Sequence, residues 1–117
     1  MSDSRIDYIE FPASSVEELN TVRDFFSSVF GWTYAMYGDD YADTGDSGTA
    51  SGVNAEDPTR AIMPLIRVSD LDATYEQVKA SGGTITKEPY DFPGGRRFYF
   101  TTPAGHELGA WTPVEPA

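Results

Sequence analysis

The first half of this chain is echoed by the second, so a fold must satisfy one pattern twice. Arg5-Ile6-Asp7-Tyr8-Ile9-Glu10-Phe11-Pro12 leads through Ala13-Ser14-Ser15 into an amphipathic stretch that ends at Phe30-Gly31, and the sequence then turns aromatic and strand-like. Arg60-Ala61-Ile62-Met63-Pro64-Leu65-Ile66-Arg67-Val68 leads through Ser69-Asp70 into a second amphipathic stretch ending at Gly82-Gly83, again followed by strand-like sequence. Two similar units in 117 residues imply one pseudo-symmetric domain with its site between the halves.

Each unit reads strand, helix, three strands. In the first, Ile9 and Phe11 share one face of a strand and Tyr8 and Glu10 the other. Ser15 with Glu18 forms a capping box, and Leu19, Val22, Phe26 and Val29 recur at helical spacing, with Phe25 and Phe30 widening the stripe. Gly31 is the stop signal. Three short strands are expected at Thr33 to Tyr37, Tyr41 to Thr44 and Gly48 to Val53. In the second unit a strand from Ala61 to Val68 puts Met63, Leu65 and Arg67 on one face, and Ser69 or Asp70 caps a helix with a Leu71, Tyr75, Val78 stripe. Thr84 to Lys87, Arg96 to Thr101 and His106 to Thr112 are expected strands, with a loop through Pro89, Pro93, Gly94 and Gly95. The first helix reads about one turn longer than the second. The modules cover residues 5–53 and 60–112, joined by a loop at 54–59.

Composition narrows the functions. Hydrophobic residues at 39% and aromatics at 14% provide for a packed core despite a formal net charge of -11. That charge opposes nucleic acid and anionic membrane surfaces as partners, and is compatible with either a cationic ligand or ordinary solubility. The absence of cysteine excludes disulfides, thiolate metal sites and cysteine nucleophiles. Met1-Ser2-Asp3-Ser4 lacks signal-peptide character and no apolar run approaches the ~20 residues of a membrane span, so a cytoplasmic protein is expected.

The order βαβββ twice, with Phe25-Phe26-Ser27-Ser28-Val29-Phe30-Gly31-Trp32 after the first helix and Thr102-Pro103-Ala104-Gly105-His106-Glu107-Leu108-Gly109-Ala110-Trp111 near the end, resembles the vicinal oxygen chelate superfamily. Glyoxalase I, bleomycin resistance proteins, extradiol dioxygenases and small glyoxalase-like proteins belong to it. The resemblance implies an α+β fold in which two βαβββ modules form a U-shaped, mostly antiparallel sheet around a cavity, with the helices outside. It also implies a homodimer.

Metal-dependent members place His or Gln on the first strand of each module and Glu on a late strand. Carried over from the helix caps and the Pro103-Ala104-Gly105 turn, these positions fall on Tyr8, Met63 and Gly109, with the fourth unplaced among Tyr41 to Val53. A hard divalent ion needs several oxygen or nitrogen donors, so no metal and no other cofactor is expected. His106 is expected to hydrogen-bond locally in its turn and Glu107 to be solvated. The acidic run Asp39 to Asp46 does not match a calcium loop, nor Gly94-Gly95-Arg96-Arg97 a phosphate loop.

Tyr8, Glu10, Met63, Leu65, Arg67, Tyr99 and Trp111 are therefore the expected ligand-binding residues, lining an aromatic cavity for a small organic molecule; Tyr34, Tyr37 and Tyr41 are further candidates. Glu10 on such a wall is a general base, a counter-ion for a cationic ligand, or a carboxylate paired with Arg67 or Arg97. Three functional classes stay open: a metal-independent binding protein; a lyase, isomerase or dioxygenase with a rearranged metal site or Glu10 as base; and an interaction subunit whose cavity is filled by its own side chains.

Overall fold

A computed structural model describes residues 4–114. The elements run β1 (Arg5–Pro12), α1 (Val16–Phe30), β2 (Ala35–Met36), β3 (Tyr41–Thr44), β4 (Ala50–Asn54), β5 (Met63–Arg67), α2 (Leu71–Ala80), β6 (Thr84–Phe92), β7 (Gly95–Thr101) and β8 (Glu107–Pro113). The fold class is α+β, with two helices and eight mostly antiparallel strands among the described residues. Two compact units are formed: Tyr8–Met63, and Pro64 onward together with the segment up to Asp7. Among the described residues no helix is long and apolar enough to cross a membrane.

The helix starts follow from their caps. Ser15 accepts the Glu18 backbone N–H at 3.0 Å, while the Glu18 carboxylate reaches past the cap to the backbone N–H and hydroxyl of Ser14. Asp70 caps α2 by accepting from the Ala73 N–H at 3.0 Å. Gly31 ends α1 at φ 77, a left-handed geometry that glycine adopts without steric cost. At 15 residues against 10, α1 exceeds α2 by somewhat more than a turn.

In the first unit the strands lie in the order β2-β3-β4-β1, with β1 parallel to β4. α1 covers one side, where Ala13, Leu19, Ala42 and Val53 are buried and Phe11 and Val22 pack against them. In the second unit the order is β5-β8-β7-β6, with β5 parallel to β8. α2 covers Val68, Leu71, Phe98 and Ala110, joined by Ile66, Tyr75 and Val78. Each buried Val, Leu or Phe side chain contributes about 1.5–3 kcal/mol of transfer free energy, so these two layers dominate the stability of their units.

Three expectations need correction. The apolar stripe of α1 is narrower than its composition implies, because Phe25 and Val29 lie on its flank and Phe30 lies past the covered turns; all three are more than half exposed. Pro89 does not open a loop: β6 continues to Phe92, shifting register between Lys87 and Tyr90. Pro is tolerated there because β6 ends the strand order of its unit, where a missing N–H leaves no ladder partner wanting. The strand expected over 33–37 shrinks to Ala35–Met36, since Thr33 gives its N–H and hydroxyl to Asp46.

Candidate functional site

Strand parity sends Tyr8 and Glu10 to the side of the first unit away from α1, and the register supplies their neighbours. Glu10 stands opposite Gly52 on β4, and Gly52 opposite Asp43 on β3; two pairs along, on the same face, Tyr41 stands opposite Asn54. Glu10 is fully buried at 0% exposure. Its carboxylate accepts from the Tyr41 hydroxyl at 2.8 Å and from Asn54 Nδ2 at 3.1 Å. Tyr8 donates to Asp43 Oδ1 at 2.6 Å, and the Tyr8 and Tyr41 hydroxyls lie 2.9 Å apart.

Asp43, Tyr8, Tyr41 and Glu10 thus form one chain of oxygens. Two phenolic protons serve three oxygen–oxygen contacts, so the chain has a place for a third proton without moving a heavy atom. Burial first, then the neighbouring Tyr41 and Asp43, push the Tyr8 hydroxyl far above the usual tyrosine range. Gly52 makes the arrangement possible. A Cβ there would lie 2.2 Å from the Tyr8 hydroxyl and 2.7 Å from that of Tyr41. Asn54 ties the network to the loop after β4, its Oδ1 accepting the N–H groups of Glu56 and Asp57.

The side of the second unit away from α2 is aromatic and cationic. Leu65, Gly109, Tyr99 and Lys87 form one cross-strand row; Arg67, Trp111, Arg97 and Tyr90 form the next. The Arg67 guanidinium lies 5.5 Å from the Trp111 ring centre, and the Trp111 indole N–H donates to Asp7 Oδ1 at 2.8 Å. Phe92 packs on Trp111, and Arg97 lies over the rings of Phe92, Tyr90 and Tyr99. Tyr90 and Tyr99 join hydroxyls at 2.8 Å, and Arg97 donates to the Tyr90 hydroxyl.

The expected site residues thus divide by unit: Tyr8, Glu10 and Met63 in the first, Leu65, Arg67, Tyr99 and Trp111 in the second. Met63, Leu65 and Tyr99 are buried, while Tyr8, Arg67 and Trp111 are half-buried. Tyr34 is not a companion of Tyr41, because it packs into the α1 side of the first unit, and Tyr37 is exposed. His106 is a turn residue whose N–H meets Thr102 Oγ1 and whose carbonyl accepts the Thr102 N–H. Glu107 accepts from the Thr86 hydroxyl. Asp43, Gly52 and Asn54 were not expected as site residues; strand pairing at long range, which leaves no local signal, brings them to Glu10.

The register also supplies the unplaced ligand position. Tyr8 and Met63 stand at the same distance from the caps Ser15 and Asp70, and Gly52 on β4 faces Glu10 as Gly109 on β8 faces Leu65. The four positions to which the resemblance carries metal ligands would thus hold a phenol, a thioether and two glycines. Only the phenol offers a hard donor, and ligation by Tyr8 as phenolate is opposed by its burial and its bond to Asp43. These residues do not fit a divalent metal. Among the described residues no three His, Asp or Glu side chains gather as they would around an ion.

Comparison with known proteins agrees with the fold. No curated protein sequence matches the chain. A hypothetical protein from Bacillus halodurans C-125 superimposes with TM-score 0.73 at 13% identity, covering 98% of each chain. Methylmalonyl-CoA epimerase from Mycobacterium tuberculosis gives 0.65 at 14% identity, covering 94% of this chain and 88% of that one. The Mn(II)-bound glyoxalase from Novosphingobium aromaticivorans gives 0.68 at 19% identity over 97% of this chain and 43% of that one. Residues 5–109 match the family model described as the Glyoxalase/Bleomycin resistance protein/Dioxygenase superfamily, and the chain belongs to that superfamily.

Proposed function

We propose that the protein binds a small organic molecule against the side chains that its strands present away from the helices, without a metal ion at the family's ligand positions. Tyr8, Glu10, Met63, Leu65, Arg67, Tyr99 and Trp111 are the proposed binding residues. The observation that carries this reading is the fixed aromatic group on the second unit, where Trp111 is pinned through its indole N–H by Asp7 and flanked by Phe92, Arg67 and Arg97. Rigid rings with a few placed polar groups are the ordinary make-up of a small-molecule site. A thermal-shift screen with planar organic fragments tests it: binding members raise the midpoint of the wild type and not that of Trp111→Ala. A panel that stabilises both proteins equally places binding elsewhere and overturns the assignment.

A second reading, that of an enzyme, is favoured by the oxygen chain ending on Glu10. There Glu10 takes a proton from a bound substrate as general base, and the Tyr41–Tyr8–Asp43 chain spreads the added proton over four groups. An epimerase and a glyoxalase share the fold, so lyase or isomerase chemistry is the class to assay. Glu10→Gln abolishes turnover in this reading; unchanged turnover removes Glu10 from the mechanism. Homodimerisation is part of the proposal, and the exposed Phe25, Val29 and Phe30 on α1 offer apolar area for it. Light scattering at micromolar concentration tests that by mass.

A further inference from the structure

We infer that the ligand of the β5–β8–β7–β6 face is a flat, conjugated molecule bearing a carboxylate, with Arg67 reading the charge; the inference rests on the organic-ligand reading above. The chain has 19 acidic residues against 8 basic ones, yet three of the basic residues, Arg67, Lys87 and Arg97, stand on this one side of one unit. Such a concentration runs against the charge of the whole chain. Cationic groups gathered in this way attract an anionic ligand group.

Arg67 is the group left for a ligand. It is half-buried, lies on the Trp111 ring, and makes no ion pair with an Asp or Glu among the described residues. The acid that touches Trp111, Asp7, accepts the indole N–H at its Oδ1. A guanidinium held on an aromatic ring loses little further freedom when its planar fork meets a carboxylate, and the two-pronged bond that results is charge-assisted. Geometry sets the ligand's shape. Arg67, Trp111 and Arg97 are successive partners across three strands, so the two guanidinium-bearing positions stand about 10 Å apart with the indole between them. A ring system stacked at the indole carries its carboxylate to Arg67 without bending.

Calorimetric titration tests this with 2-naphthoate, its primary amide and 2-naphthylmethylamine, three molecules of one shape and different charge. The wild type is expected to bind the carboxylate about tenfold tighter than the amide and the amine weakest. Arg67→Met should bring the carboxylate down to the level of the amide, so that the preference between the two disappears. Arg67→Lys, which keeps the charge without the fork, should retain part of the preference, and its unfolding midpoint checks that the face is intact. Equal binding of acid and amide by the wild type, or a preference that survives Arg67→Met, overturns the inference and leaves the organic-ligand reading standing. Failure of all three molecules, and of the wider fragment panel, overturns both.

Discussion

Gly52 faces Glu10 across the parallel β1–β4 pair, and the volume its missing side chain leaves is where the hydroxyls of Tyr8 and Tyr41 meet. The glycine is thus part of the polar site, although it contributes no functional group. Its counterpart Gly109 faces Leu65 in the second unit, where the same backbone arrangement has an apolar neighbour instead. One scaffold position therefore serves two different surroundings.

Gly52→Ala should destabilise the protein by about 1–3 kcal/mol, because its Cβ forces buried groups apart. Urea unfolding measures it. Tyr8→Phe removes the closest atom, so the double variant should lose less than the sum of the single ones. Strict additivity would mean that the two residues do not share the space.

Replacing Glu10 by Leu leaves the Tyr41 hydroxyl without its buried acceptor and costs Asn54 one of its bonds. A loss of about 1–3 kcal/mol is expected from equilibrium unfolding. Glu10→Gln keeps one oxygen and should lose less. A neutral Glu10→Leu substitution would show that the network adds nothing to stability.

Tyr8 should stay protonated while other tyrosines ionise, because burial and its neighbours raise its affinity for the proton. The sign follows from linkage. Above the ordinary tyrosine pKa of about 10 the unfolded chain releases the Tyr8 proton and the folded one does not, so stability falls as pH rises. Near-ultraviolet difference spectra on wild type and Tyr8→Phe check this. The wild type should lose its fold at lower alkaline pH than Tyr8→Phe does relative to each one's neutral stability, and identical alkaline curves would contradict it.

Asn54→Ala removes two acceptor contacts that hold the backbone of Glu56 and Asp57, and the donor to Glu10. Faster amide exchange at Glu56 and Asp57 is expected, with Ala55, whose N–H is held by the Asp40 carbonyl, and the β1–β4 ladder less affected. Unchanged exchange would assign the loop's order to other contacts.

Local pattern carried the helices, their caps and most strands into view, because the apolar periodicity of Leu71, Tyr75 and Val78 or of Tyr8 to Phe11 is written within one helix or one strand. Parity alone put Tyr8 with Glu10, and Arg67 with Leu65. It could not show that β4 lies parallel to β1, so nothing brought Gly52 and Asp43, each on an expected strand, or Asn54, in the expected connecting loop, beside Glu10. Tyr34 and Tyr41 were indistinguishable as strand aromatics, yet they belong to opposite sides of their unit. Phe25 and Val29 read as core because helical spacing says which side chains align, not how much of the helix is covered.

Metal binding is the most direct test of the proposal that this chain holds no divalent ion at Tyr8, Gly52, Met63 and Gly109. Protein purified without chelators should carry well under one equivalent of any divalent ion by elemental analysis, and added manganese, zinc, nickel or iron(II) should leave its unfolding midpoint unchanged. One tightly held equivalent per chain, with a midpoint that falls on chelation and returns on reloading, would contradict the account.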